Sequence, residues 1–414
     1  MMYMSNITTL RPMRMAKALA CALLLACAAA CDSSDEFAAP EQPRDSMAVS
    51  ISIMTGKATA TRAINEYDRT GTEKENIIDA TNGDYCVFVF DGNGVFADRL
   101  HEMTPENDTE TNINIYTISG ILDIKLLDFY IVVLANWKQN GYDYPILRPG
   151  KTTIAELMNA QGYIFDMPDG WQPFADGEPE TGGMPMFGMH RYTVSEADAK
   201  QSTRDNPVRL AQTDDDAIWM MRSMAKIEVV DVMEKFGYSS YPKLESVTFG
   251  PYMDKGKLIP DAKSTGGSTL WINNKQVTAP SLPTGIAPTD GRLNFFHSLD
   301  TDRTNDGDDP MAYVKRDMMS AYIAEQDLTA KTAGGTTESP YMVVTVRNRP
   351  EGETGDGEET VSFHLDFPAD MGTKLLRNHI YRFEIKSASA NLINIEYVVC
   401  PWIEHNAIDL PAFD

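Results

Sequence analysis

Val49-Ser50-Ile51-Ser52-Ile53, residues 49–53, sets a branched apolar side chain at every second position with a small hydroxyl between. A period of two puts Val49, Ile51 and Ile53 on one face of an extended chain, which predicts a strand buried on one side. The pattern recurs downstream. Tyr85-Cys86-Val87-Phe88-Val89-Phe90 is apolar throughout and runs into Asp91-Gly92-Asn93-Gly94, residues that reach positive φ cheaply, so it predicts a central strand entering a hairpin. Ile113, Ile115 and Thr117 alternate again, and 129–135 is a β-branched, aromatic run ended by Asn136. Further strands are predicted at 244–249, 293–297, 341–346, 361–367, 381–385 and 395–400. One short helix is expected at 153–160, and a Pro- and Gly-rich surface loop at 168–188. The charged stretch 59–75 is expected to be an exposed loop, as are the acidic stretches 300–310 and 349–359. Residues 218–230 are expected to cross between domains. Many short strands with long connections predict an all-β chain of sandwich architecture.

Upstream of the first strand, 36–44 carries Pro40, Pro43 and several charges and suits a solvated tether. Before it, Arg11, Arg14 and Lys17 precede an apolar run from Ala18 to Ala30 with no acidic residue, the layout of a secretory signal and too short to span a bilayer. Cys31 stands at the border, ahead of Asp32, Ser33, Ser34, Asp35 and Glu36, where a lipoprotein signal peptidase takes an acylated cysteine. Cys27, preceded by Leu24, Leu25 and Ala26, is the alternative, but it would leave Ala28 to Ala30 as an apolar stub. Cys31 joins lipid directly to hydrated chain. Acyl chains at about 0.8 kcal/mol per buried CH₂ would hold such a protein on a membrane, outside the cytoplasm.

The 414 residues include 60 acidic and 36 basic ones, and loss of three basic residues with the signal takes the formal charge from −24 to −27. Phosphate backbones and anionic lipid surfaces repel such a chain, so nucleic acid is not an expected partner. A chain of 414 residues is long enough for two core-bearing domains, and a hydrophobic content of 43% argues that it folds. Beyond the signal only Cys86 and Cys400 remain, both in apolar strand-like runs, which favours two buried free thiols over a bridge.

No constellation of catalytic type emerges. Gly150-Lys151-Thr152 resembles the end of a P-loop, but the earlier glycine of that motif falls at Pro145, which has no N–H for a phosphate. His101, His190, His297, His364, His379 and His405 are scattered without zinc-site spacing. Ser119 precedes Gly120 without the rest of a nucleophile elbow. Asp300, Asp302, Asp306, Asp308 and Asp309 do not follow an EF-hand. Five dispersed tryptophans form no platform for sugar. The expectation is a non-enzymatic protein with no catalytic, cofactor or metal residue.

Several stretches together resemble the FimA-type fimbrillins, pilin subunits of Bacteroidales fimbriae. They are the lipobox at Cys31; the alternating strand followed by Thr61-Arg62-Ala63; Ile131-Val132-Val133-Leu134-Ala135-Asn136; Arg222 through Val229; Arg377-Asn378-His379-Ile380-Tyr381-Arg382; and Val398-Val399-Cys400-Pro401-Trp402. Each is weak alone, and their order and spacing carry the likeness.

The resemblance implies a signal at 1–30, a tether and removable first strand at 31–62, and two tandem transthyretin-like, Greek-key β-sandwich domains at 63–222 and 223–414. It further implies transport to the cell outer membrane and surface. There an arginine-specific protease would cut Arg62-Ala63, and the lost strand would carry Val49, Ile51 and Ile53. The implied partners are other fimbrial subunits, that protease, the outer membrane through the lipid, and a host or bacterial surface receptor. Ile408, Leu410 and Ala412 alternate with Asp409 and Pro411 and form a candidate donor strand, or else an ordinary closing strand of the same domain. A permanently anchored adhesin or fimbrial anchor that binds glycan or host protein is the alternative. Asp45-Ser46-Met47 also resembles a Bacteroidales O-glycosylation acceptor. Replacing Cys31 by alanine is expected to abolish fatty-acid labelling and shift the protein out of the membrane fraction. Labelling that persisted would move the acylation site to Cys27.

Overall fold

The computed structural model describes residues 46–55, 73–80, 82–107, 115–159, 163–167, 171, 183–234, 241–261, 279–303, 313–329, 339–354, 358–389 and 391–402. The chain divides into two units, Met1–Pro43 and Arg44–Asp414, and every described residue belongs to the second.

In chain order the first half lays down β1 (Met47–Met54), β2 (Tyr85–Asp91), β3 (Phe96–Arg99), β4 (His101–Asn107), β5 (Ile115–Leu122), β6 (Asp128–Ala135), α1 (Ile154–Asn159), β7 (Ile164–Asp166), β8 (Met186–Thr193), α2 (Glu196–Gln201), β9 (Val208–Arg209), β10 (Ile218–Trp219) and β11 (Met221–Arg222). The second half adds β12 (Met224–Asp231), β13 (Lys243–Gly250), β14 (Lys255–Lys257), β15 (Leu293–Asn294), β16 (Phe296–Arg303), β17 (Tyr313–Ala324), β18 (Gln326–Asp327), β19 (Tyr341–Arg347), β20 (Thr360–Asp366), β21 (Lys374–Leu375), β22 (His379–Ala388) and β23 (Ile393–Pro401). The protein is all-β.

Strands of the first half build two sheets, β10-β1-β5-β4 with β9 also on β1, and β11-β8-β6-β2-β3. Inward residues of both meet in one core, where Val49, Ile51 and Ile53 join Phe88, Phe90, Ile131 and Val133. The second half repeats the layering with β16-β17-β12-β22-β23 and β15-β13-β19-β20 around Ile227, Val229, Phe249, Val344 and Phe383. The strands β7 and β14 pair across the halves.

The link between the two pairs of sheets is residues 217–231, buried at every position. Within it β10 pairs with β1, β11 with β8, and β12 with β17 and β22, so three successive strands enter three different sheets. Gly188 in β8 makes room for the crossing. A Cβ there would lie 2.7 Å from both Ile218 Cγ2 and Met220 Sδ.

Several expectations need correction. The stretch expected as a surface loop to 188 ends earlier: Met184 and Trp171 are buried, and β8 starts at Met186, drawn into the sheet by β6 along its length. A second helix, Glu196–Gln201, is capped by Ser195, whose hydroxyl accepts from the Asp198 N–H at 3.1 Å. It buries only Ala199, too little to leave an apolar period in the sequence. The acidic loop expected from 300 begins later, because β16 continues to Arg303 on a ladder with β17, Asp300 opposite Arg316 and Asp302 opposite Val314. Glu75, expected in an exposed loop, lies in a 3-10 turn (Glu73–Asn76) and is buried. Cys86 is a free, buried thiol whose pKa burial pushes up to about 11, against the lowering effect of Arg99 and Lys138.

Gly188→Ala is expected to cost about 1–3 kcal/mol, the usual range for overpacking a filled interior. A urea titration should show a lower midpoint with an unchanged slope; an unchanged midpoint would mean that the crossing has slack.

Candidate functional site

The first strand lies inside its sheet, with a neighbour on each edge. One edge of β1 is antiparallel to β5 over eight residue pairs, from Met47 opposite Leu122 to Met54 opposite Ile115. The other is parallel to two short strands, Val49 opposite Val208 in β9 and Ile53 opposite Ile218 in β10. Further bonds bind it lengthwise. Leu210 N–H donates to the Ser50 carbonyl at 2.9 Å, Met220 N–H to the Met54 carbonyl at 2.8 Å, and Ala48 N–H to Ser202 Oγ at 3.2 Å.

Its alternation decides which side chains go inward. Met47, Val49, Ile51 and Ile53 are each 0% exposed, while Ser50 and Ser52 are half-buried. Ala48 and Met54 are buried on the opposite face, Met54 against Ala217 and Trp219. Fully burying such a side chain is worth about 1.5–3 kcal/mol. Without β1, the edge of β5 would lose a ladder of eight partners, and Tyr116, Ile118 and Leu122 would line an open apolar slot.

The three strand residues singled out from sequence therefore come together on one face of one slot, with Met47 as a fourth that the stricter alternation left out. Cys27, Cys31, Arg62, Ala63, Ile408, Leu410 and Ala412 lie outside the described residues. Ser46, the glycosylation candidate, is buried at the entry to β1.

Beside the C-terminal end of β1 lies a buried polar node that no local pattern announces. Arg222 is 1% exposed, and its Nη2 donates to the Thr55 carbonyl at 2.8 Å and to Asn76 Oδ1. Its Nε donates to the Glu75 carbonyl at 3.1 Å, and its guanidinium stacks 4.9 Å from the centre of the Trp402 ring. The carboxylate of Glu75 accepts from Tyr322 Oη at 2.5 Å and Trp402 Nε1 at 3.0 Å, and it pairs with Lys226 Nζ at 2.7 Å. Lys226 also meets Glu228 at 2.8 Å. Burial works against the Lys226 ammonium, but Glu228 and Glu75 overcome it and hold its pKa well above the ordinary value. Burial pulls Arg222 down to about 10, with Glu75 and Tyr322 opposing. Both remain cationic at neutral pH.

Another group forms where β3 and β4 meet the end of β5. His101 Nε2 lies 3.0 Å from Asp98 Oδ1 and 3.7 Å from Asp123 Oδ2, a triad with the donor types of a divalent-cation site. Spacing along the chain concealed it, since the partners come from separate turns. In the described structure His101 and Asp123 are exposed and Asp98 is half-buried, and Asp98 Oδ2 also accepts from the Asp123 N–H at 2.9 Å.

No protein-family model matches the chain, and no curated protein matches it. Among solved structures it is similar to fimbrial proteins. The tip fimbrial protein Mfa3 of Porphyromonas gingivalis, with a C-terminal truncation, matches at 13% identity and a TM-score of 0.47, over 86% of this chain and 100% of that one. A fimbrial assembly protein of Parabacteroides distasonis matches at 15% identity and a TM-score of 0.39, over 86% and 96%. The fimbrial anchor protein Mfa2 of Porphyromonas gingivalis matches at 8% identity and a TM-score of 0.33, over 86% and 98%.

Truncating one inward side chain of β1 tests how firmly the slot is filled. Ile51→Ala is expected to cost about 2–5 kcal/mol, and Ser50→Ala, on the opposite face, within about 0.5 kcal/mol. Thermal and urea melts of the two variants side by side would check this; equal effects would mean that β1 does not discriminate its faces.

Proposed function

We propose that this chain is a structural subunit, stalk or tip, of a cell-surface fimbria, exported as a lipoprotein precursor through Cys31, processed between Arg62 and Ala63 and assembled by strand exchange. One observation carries the reading. The strand β1 is the first of the described strands, fills an interior slot from both edges, and is followed along the chain by the segment 56–72, within which Arg62 lies. A cut there converts an interior strand into a separate peptide.

The energetics follow from that. While the link is whole, β1 sits at high effective concentration beside its slot and holds it shut. Once it is cut, β1 can depart and not return, and the slot presents unpaired backbone groups above an apolar floor, a strong template for another strand. The candidate donor at 408–412 offers Ile408, Leu410 and Ala412 where β1 offers four inward residues, and Pro411 removes one ladder N–H. In this reading 63–222 and 223–414 act as two sandwich domains. The subunit works at the outer membrane and cell surface, without catalysis, through other subunits, an arginine-specific protease and a surface receptor.

The test is treatment of purified wild-type and Arg62→Ala proteins with an arginine-specific protease, followed by a non-boiled gel. Ladders are expected from the wild type and none from Arg62→Ala, with Ala63 as the N-terminus of the laddered protein by mass spectrometry. An acylated Cys31 retained in the surface-extracted product would overturn the reading in favour of a permanently anchored adhesin.

A further inference from the structure

Three separated parts of the chain converge on Arg222. Thr55 follows β1 directly and lies in the part that a cut at Arg62 would detach. Glu75 and Asn76 belong to the part beyond that cut. Trp402 follows β23 and leads into the C-terminal residues. Trp402 is bound from several directions: its ring lies over the guanidinium and parallel to Tyr322 at 6.1 Å, its Nε1 donates to Glu75, and its backbone N–H donates to the Asn378 carbonyl at 2.8 Å. Asn378 closes the circuit, because its Oδ1 accepts from Arg222 N at 3.2 Å and Nη1 at 3.3 Å.

We propose that this node is a latch that couples occupancy of the β1 slot to the hold on the C-terminal end of β23. The proposal rests on the reading that β1 leaves its slot. Thr55, Glu75, Arg222, Lys226 and Glu228 are all 4% exposed or less. A buried guanidinium that loses an acceptor bears a large penalty unless water or a rearrangement replaces it. Departure of β1 removes the Thr55 carbonyl and opens the wall beside Nη2. Water that enters to solvate Arg222 competes with two of the contacts that pin Trp402, the stack on the guanidinium and the bond to Glu75. The end of β23 is thereby loosened. A subunit that has lost its own first strand is then the one in which the end of β23 is released.

Coupling of this kind is reciprocal, so loosening Trp402 must also loosen β1. Trp402→Phe keeps an aromatic ring and removes the N–H that Glu75 accepts. Hydrogen–deuterium exchange on the uncut full-length protein would read the amides of β1, of β23, and of β6 in the facing sheet as an internal standard. In Trp402→Phe, β1 and β23 should exchange about tenfold faster with β6 unchanged, the scale expected for one lost bond to a charged group. Arg222→Lys, which keeps the charge but not the planar fork, should do the same. Faster exchange in β23 alone would overturn the latch, and so would an equal rise in β1, β23 and β6, which would mark a merely structural role. Should Arg222→Lys fail to fold, Trp402→Phe decides alone. Because the chain is not cut, a subunit never processed at Arg62 would still report the coupling, and an uncoupled node would leave the ladder test unaffected.

Discussion

The molecule depends on one fully buried crossing, residues 217–231, which hands the chain from sheet to sheet to sheet within fifteen positions. A strand normally completes its ladder with two neighbours in one sheet. Here β10 and β11 each contribute two residues, and the chain turns inward again before either edge is filled. Every backbone polar group on such a path needs a partner out of water. The Met220 N–H donates to Met54, the Ser223 N–H to Pro185 and the Ser223 hydroxyl to Leu258, each from a different part of the chain. The crossing therefore orients β1, β8 and β12 together, and the absence of a side chain at Gly188 lets it pass.

Where one face of a strand meets the core and the other meets water, the sequence was readable. Val49, Ile51 and Ile53 spelled out β1, and Tyr85 to Phe90 spelled out a strand buried on both faces. Legibility failed where the partner, rather than the local pattern, made the element. The strand β16 runs through Asp300 and Asp302 because β17 is long enough to pair with them, and nothing in an acidic stretch advertises a ladder. The helix at Glu196–Gln201 is held by a serine cap and buries a single alanine. Glu75 shows the same limit for the site. It sits beside Glu73 and Lys74, which read as solvated chain, while the groups that bond its carboxylate arrive from positions 226, 322 and 402.

Such a node is a costly way to tie strands of different sheets together, since desolvating charges opposes much of what their attraction returns. What it supplies is discrimination. An apolar contact between the same elements would tolerate sliding by a fraction of a side chain, whereas a guanidinium bonded to the Thr55 carbonyl, the Glu75 carbonyl and Asn378 accepts one arrangement. A second buried pair nearby works similarly. Arg377 and Glu325 meet at 2.7 Å, with Arg377 also donating to the carbonyls of Leu258 and Lys257.

The slot of β1 has one wall that runs with it and one that runs against it. Parallel and antiparallel ladders place their donors and acceptors at different intervals, so a segment laid in backwards would face both walls with the wrong spacing. The groove thus has a heading as well as a shape. Anything built by repeating its occupation would inherit that heading at each step and would grow as an arrow, with two unlike ends.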